Sequence, residues 1–242
     1  MMMPPAVTLY THTLCPYAHR ASLALVEKGL SPKEFERHVD LSAKPAWFLR
    51  ACPRGLVPAM SLDEGDAITE SLRIITVVDD VFDRGSLTSR VGPREEILDF
   101  VKDADAYGGF ISSGLSFIGG GWSIRGVQPR SSVIDGLERN VARLDSLCAS
   151  SGGDFLFGSS PSLADIAIYP FAERFQLAMR EFQGYELGES QGAQAFVVWL
   201  AAMAARDSAK ALRPNDKELL KSWRRTGRLD YFDYETADRE NP

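Results

Sequence analysis

Thr13-Leu14-Cys15-Pro16-Tyr17-Ala18-His19-Arg20 follows a short apolar run, Ala6-Val7-Thr8-Leu9-Tyr10, that reads as a strand. Pro16 suits a first helical position, and Ala21, Leu23, Ala24, Leu25 and Val26 carry a helix onward, so Cys15 stands where strand hands over to helix. A thiol placed there faces unsatisfied backbone N–H groups and the positive end of the helix dipole, both of which favour thiolate over thiol. Two readings follow. Cys15 is a reactive nucleophile, with a pKa below the roughly 8.5 of a free thiol, or it is a buried structural residue, as free cysteines often are. The residues around it favour the first.

The chain of 242 residues is long enough for two domains, and its balance of 45% hydrophobic to 25% charged residues is that of a soluble globular protein. A formal net charge of −6 argues against a non-specific grip on nucleic acid or on an anionic membrane face, so any anionic ligand must be held locally. The three cysteines, at 15, 52 and 148, lack paired spacing, which points to free thiols in a reducing compartment. Met1-Met2-Met3-Pro4-Pro5 lacks the basic start and apolar core of a secretory signal. With no stretch near 18 uninterrupted apolar residues, a cytoplasmic protein without a membrane span is expected.

Past the first helix, Gly29 is a natural cap and residues 33–41 alternate as a second strand. A short helix over Pro45 to Ala51 follows, then a break at Pro53, Arg54 and Gly55. A hairpin comes next, from Leu56 to Leu62 and Ala67-Ile68 around a turn at residues 63–66. Thr69-Glu70-Ser71 opens a helix whose Leu72, Ile75, Val78 and Phe82 recur at three- and four-residue spacing as far as Gly85. The order is βαβαββα over residues 1–85, and from 92 to 242 the strand signal gives way to helices. Residues 93–118 read as one helix that glycines 108, 109 and 114 should bend or end early. Ile134, Leu137, Val141, Leu144 and Cys148 form one apolar stripe, which places Cys148 in the core. Ser162-Leu163-Ala164-Asp165 is a capping box that starts another helix. Phe196, Trp199, Leu200 and Met203 mark one more, and residues 216–223 a last one before a polar tail.

Chemistry is concentrated near the first helix. A two-thiol oxidoreductase needs a resolving cysteine at position 18, where this chain has alanine, so Cys15 works alone and its mixed disulfide must be resolved by a thiol from solution, of which glutathione is the abundant cytosolic one. The Val57-Pro58 bond, between a helix and a hairpin, is either cis, turning the Val57 backbone toward an extended peptide, or an ordinary trans bond at the start of an edge strand. Glu70 and Ser71 either bind the ammonium and carboxylate of a γ-glutamyl group at a helix N-terminus or simply cap it. His12, Cys15 and His19 are metal-ligating types without the spacing or the fourth ligand of a site, so no metal is expected. Gly119-Gly120-Gly121 lacks the Lys-Ser/Thr of a phosphate loop and reads as a bend. The acidic and aromatic residues 230–235 read as a tail.

Together, Cys15-Pro16-Tyr17-Ala18, Lys44-Pro45-Ala46-Trp47-Phe48, Gly55-Leu56-Val57-Pro58 and Glu70-Ser71 resemble, in order and spacing, the glutathione site of the cysteine-containing glutathione transferases of the omega and lambda classes. Ser162 to Ile166 and Pro170 to Gln176 are similar to motifs of the same family's helical domain, the latter to the lambda class, and Trp199 to Met203 to the omega class. The resemblance implies a thioredoxin-like N-terminal domain, an all-α C-terminal domain and a cleft between them for a second substrate. It further implies Cys15 as nucleophile with Tyr17 beside it, Val57 pairing through its main chain with the cysteinyl part of glutathione, Leu56 also among the glutathione-binding residues, Pro58 in cis, Lys44 at the glycyl carboxylate, Glu70 and Ser71 at the γ-glutamyl group, and Trp199 near the second-substrate pocket. Trp199 fits a core stripe equally well. Cys52, Arg54 and His19 depart from the family pattern. The implied activity is thiol transfer or reduction, dehydroascorbate included. Its rivals are glutathione conjugation, or a binding role like that of the chloride intracellular channel proteins. The omega likeness implies a homodimer, the lambda likeness a monomer.

Overall fold

In the computed structural model, which describes residues 5–83, 85–88, 93–119, 122–123, 126–127, 130–189 and 192–225, a four-stranded mixed sheet carries the N-terminal part. Strand β1 (Val7–Thr11) is central: β2 (Glu36–His38) runs parallel to it and β3 (Ala59–Leu62) antiparallel, and β4 (Ile68–Thr69) pairs with β3. Alternation along β1 divides its side chains between two cores. Leu9 and Met60 join the large core with helices α1 (Pro16–Glu27) and α4 (Ser71–Val81), whereas Tyr10 and Ala59 join Phe48 and Cys52 of the segment around α3 (Ala46–Ala51). A thioredoxin-like unit of this kind presents the first residues of α1 and the segment before β3 at one end of the sheet.

Two expectations are corrected here. Residues 33–41 do not form a strand throughout: Ser31-Pro32 begins a one-turn helix α2 (Pro32–Phe35), with Glu34 accepting from the Ser31 N–H at 2.5 Å, and only Glu36–His38 extend. Over residues 93–118 the helix does end early, as its glycines led one to expect, and the single helix is corrected to two, α5 (Arg94–Asp105) and α6 (Phe110–Ile118). Gly108 sits between them at φ +83°, where other residues are strained, and the Gly109 N–H closes a turn onto Ala106. The helix opened by Ser71 ends at Val81, short of Gly85. A small hairpin, β5 (Trp122–Ser123) with β6 (Gly126–Val127), was not anticipated in the helical part. Gly119 ends α6, and residues 120–121 and 230–235 lie outside the described residues.

The remaining helices are α7 (Arg130–Ser150), α8 (Leu163–Gln183), α9 (Gln194–Ala205), α10 (Asp207–Leu212) and α11 (Asp216–Arg225). Helix α8 is the axis of the molecule. Every residue from Leu163 to Ala172 is buried, because α8 packs against α1 on one side and against α5, α6 and α9 on others. Gly114 is what lets α6 approach, since a β-carbon there would lie 2.1 Å from the Phe175 ring. Polar ties fix how the helices meet the sheet unit. The buried Lys28 and Asp79 pair at 2.7 Å, and Asp79 also accepts from the Leu87 N–H, fastening the segment that leads toward the helices. Arg206 grips Glu27 with two 2.7 Å bonds.

Candidate functional site

Cys15 occupies the N-cap of α1, at the end of a turn in which its own N–H bonds to His12 O and the Leu14 N–H to His12 Nδ1. Its side chain makes no capping hydrogen bond. Instead the thiol lies 3.9 Å from the Val57 carbonyl, toward which S–H can donate, and the Val57–Pro58 bond that aims this carbonyl is cis. The pKa expectation is corrected: burial, the largest influence, pushes the Cys15 thiol up. The N–H groups of Ala18 and Tyr17 pull it down, as do the charges of Arg174 and Arg20, without cancelling the burial. The other two thiols are core residues. Burial also raises Cys52, and burial together with Asp165 and Asp145 pushes Cys148 up to about 12.

Several of the other residues singled out in the sequence assemble around this mouth. Tyr17 follows Pro16 on α1 and sets its ring edge-on to Phe171 of α8, with centroids 4.9 Å apart. Leu56 is exposed next to Val57. Lys44, also exposed, lays its stem over Gly55, so close that a β-carbon on Gly55 would meet Lys44 Nζ at 3.3 Å. Glu70, the N-cap of α4, holds φ +70°, a conformation that residues with a β-carbon avoid and that tends to persist at functional sites. Its carboxylate accepts from Arg54 Nη1 at 2.6 Å. Ser71 is buried and accepts from Arg20 Nη1 at 3.1 Å, which leaves its own hydroxyl proton free for another acceptor.

Trp199 is not at this mouth, and the pocket expectation is corrected to the core alternative. It is 1% exposed, stacks near Phe196, and donates Nε1–H to Asp165 at 2.7 Å. Nor do His12, Cys15 and His19 converge: His12 Nδ1 faces the Leu14 N–H and His19 Nδ1 faces Arg174, and among the described residues no three metal-ligating side chains cluster.

Sequence reasoning missed the two arginines that matter most here. Arg20 is fully buried, donating to Ala167 O, Ser71 Oγ and Asp105 Oδ1, with its guanidinium 4.6 Å over Phe171. Arg174 comes from α8 and donates to the carbonyls of Leu14 and Thr13, which immediately precede Cys15. A signal existed. Each is a lone cation on the apolar face of a helix, and a buried charge requires partners.

Family models match both parts of the chain: "Glutathione S-transferase, N-terminal domain" over residues 14–81 and "Glutathione S-transferase, C-terminal domain" over residues 128–216. Glutathione S-transferase L3 of Arabidopsis thaliana is 33% identical over 72% of this chain and 68% of its own length. The chain belongs to the glutathione transferase family. Glutathione S-transferase omega-1 of Rattus norvegicus is 25% identical over 70% of the chain and 67% of its own. Among solved structures, glutathione transferase Omega 1C of Trametes versicolor superposes with a TM-score of 0.73 at 25% identity, covering 94% of this chain and 98% of that one. A glutathione co-substrate follows from the family, and both the lambda and the omega class are represented among the relatives.

Proposed function

We propose that this transferase moves glutathionyl groups through a mixed disulfide at Cys15. One observation carries the reading: a single thiol stands at an uncapped helix mouth beside the Val57 carbonyl, while Cys52 and Cys148 are buried in cores. In the first half-reaction the Cys15 thiolate attacks the glutathionyl sulfur of a mixed disulfide, forming the Cys15–glutathione bond and expelling the substrate as its thiolate. Free glutathione thiolate then attacks that disulfide, leaving as glutathione disulfide and restoring Cys15. No oxidant is consumed beyond the substrate disulfide. Glutathione would lie with its cysteinyl backbone paired to Val57 beside Leu56 and Pro58, its γ-glutamyl ammonium on Glu70, its γ-glutamyl carboxylate on Ser71, and its glycyl carboxylate near Lys44. Tyr17 would wall the reacting sulfur. Dehydroascorbate is a candidate acceptor of the same reducing equivalents, and a reducing, cytoplasmic setting suits this chemistry.

A second reading is favoured by the upward push of burial on the thiol. In it Cys15 stays protonated and donates S–H to a bound glutathione thiolate, which attacks an electrophile. Comparing wild type with Cys15→Ser in mixed-disulfide, dehydroascorbate and electrophile assays separates the two. Thiol transfer requires the serine variant to lose disulfide exchange by about a thousandfold or more. Conjugation predicts that a serine hydroxyl serves equally well and electrophile turnover survives.

A further inference from the structure

Arg174 is the cation nearest in role to the nucleophile that does not come from the sheet unit. It is 2% exposed and lies on α8, yet its guanidinium donates to Thr13 O at 3.2 Å and Leu14 O at 3.4 Å, the two carbonyls that lead into Cys15. Its Nη1 also donates to Pro170 O at 2.8 Å and faces His19 Nδ1 at 3.0 Å. A guanidinium can only donate, so His19 Nδ1 must be the unprotonated nitrogen and the ring proton sits on Nε2. That Nε2 is buried with no partner among the described residues, and His19 is held neutral, its pKa pushed well down by burial and by Arg174. The carboxylate that comes nearest, Glu173, stands off at 3.8 Å with Oε2 unbonded.

We propose that Arg174 is a positioning residue for Cys15: from the helical domain it pins the Thr13–Leu14 backbone and sets a positive charge near the thiol, and neutral His19 adds no counter-charge to the one Glu173 supplies at 3.8 Å. A carboxylate at position 19 would pair with the guanidinium and cancel its field at the sulfur. The neutral imidazole accepts the same hydrogen bond without doing so. Nucleophile strength then depends on the docking of α8 onto α1, which ties chemistry in one domain to packing in the other. The groups facing Cys15 from all packed elements are Tyr17, Arg20 and the Ala18 N–H on α1, the Val57 carbonyl before β3, and Arg174 on α8. Facing Arg174 in turn are His19 on α1, and Glu173 and Tyr169 on α8.

The inference rests on Cys15 as nucleophile, and its test reads the thiol without using glutathione. Alkylation of Cys15 by iodoacetamide, followed by peptide mapping from pH 5 to 10, should move upward by about one pH unit in Arg174→Met, a roughly tenfold loss of rate at neutral pH. Arg174→Lys, which keeps the charge, should recover most of that loss. His19→Glu should shift the profile in the same direction as Arg174→Met, and the neutral acceptor of His19→Gln far less. Should Arg174→Met fail to fold, Arg174→Lys and His19→Glu decide. Profiles that superpose on wild type in every folded variant among Arg174→Met and His19→Glu overturn the inference, as does a His19→Gln shift equal to that of His19→Glu. If disulfide exchange survives in Cys15→Ser, the underlying reading has failed instead.

Discussion

The mouths of α8 and α1 are built from the same geometry and finished in opposite ways. At α8 every donor is answered: Asp165 accepts from the Leu156 N–H, the Ser162 N–H and hydroxyl, and Trp199 Nε1, while Ser162 Oγ accepts from the Ala164 N–H. At α1 the cap position is a cysteine whose side chain makes no capping hydrogen bond, while the Tyr17 and Ala18 N–H groups nearby favour its thiolate. A saturated helix mouth contributes stability and has nothing left to offer a ligand. An unsaturated one gives up a cap, usually about 1 kcal/mol, and keeps a field that favours a developing thiolate. The two ends lie in helices that pack on each other, so the finished mouth supports the unfinished one.

The largest effect that would break this contrast is Asp165→Ala. It leaves four buried donors, the Leu156 and Ser162 N–H groups, the Ser162 hydroxyl and Trp199 Nε1, without their acceptor and should cost about 3–5 kcal/mol, seen as a lower urea midpoint. Cys15→Ala, at the other mouth, should change stability by less than about 1 kcal/mol while removing disulfide exchange. Comparable stability losses in the two variants would erase the distinction between them.

Next in size is the mouth of α4, which stands between the other two. Ser71 is buried and already engaged by Arg20, whereas the Glu70 side chain is 67% exposed. Glu70→Gln should weaken glutathione binding by about 1.5 kcal/mol, the lower end for a charged hydrogen bond because water competes there, or roughly tenfold in Kd. Ser71→Ala should cost a comparable amount and in addition some stability, since Arg20 loses a buried acceptor. Calorimetry with unchanged affinity in both variants would class this mouth with α8, as a cap and nothing more.

These mouths also show where sequence reading succeeds and stops. The strand before Cys15, the proline at the start of α1 and the Ser162-Asp165 box are local patterns, and local patterns survived into the structure within a residue or two. Over residues 33–41 the Ser31-Pro32 helix start overrides the alternation, so one helical turn precedes the strand. Trp199 was ambiguous for a different reason: a stripe of large apolar residues looks the same whether it faces a core or a cleft, and only the partner of Nε1, 34 residues away in the chain, decides. Arg20 and Arg174 were passed over because what they touch is set by tertiary contact, with Arg174 bridging 160 residues to Leu14. A charge within an apolar helical stripe is the pattern worth flagging in such sequences.

A smaller expected effect concerns pH. Burial holds the His19 pKa well below its ordinary value, so the unfolded chain takes up a proton below about pH 6.5 that the folded one refuses. Stability is therefore fully present above that pH and declines as pH falls beneath it, with a slope approaching about 1.4 kcal/mol per pH unit for one proton. His12, lowered chiefly by burial, acts with the same sign. His19→Gln should flatten the loss between about pH 6.5 and 5, measured as the thermal midpoint across that range. An unchanged slope would mean that His19 is protonated in the fold, contradicting the neutral tautomer that Arg174 imposes.

The smallest effect lies at the Arg54–Glu70 pair. Both side chains are about two-thirds exposed, and an ion pair so placed is worth at most about 1 kcal/mol, so Arg54→Ala should leave the unfolding midpoint where it was. Its consequence is for binding. If Glu70 receives the γ-glutamyl ammonium, then Arg54 competes with that ammonium for the same carboxylate, and freeing Glu70 should tighten the glutathione Kd by up to about fivefold. The gain should shrink at high salt, since added ions screen an exposed pair before they screen a ligand seated at the helix mouth. Weaker binding in Arg54→Ala would reverse the roles, with Arg54 holding a carboxylate of the ligand and Glu70 orienting Arg54. That result would make the mouth of α4, like the mouth of α1, a place where an arginine supplies the working charge, to the ligand at α4 and to the thiol at α1.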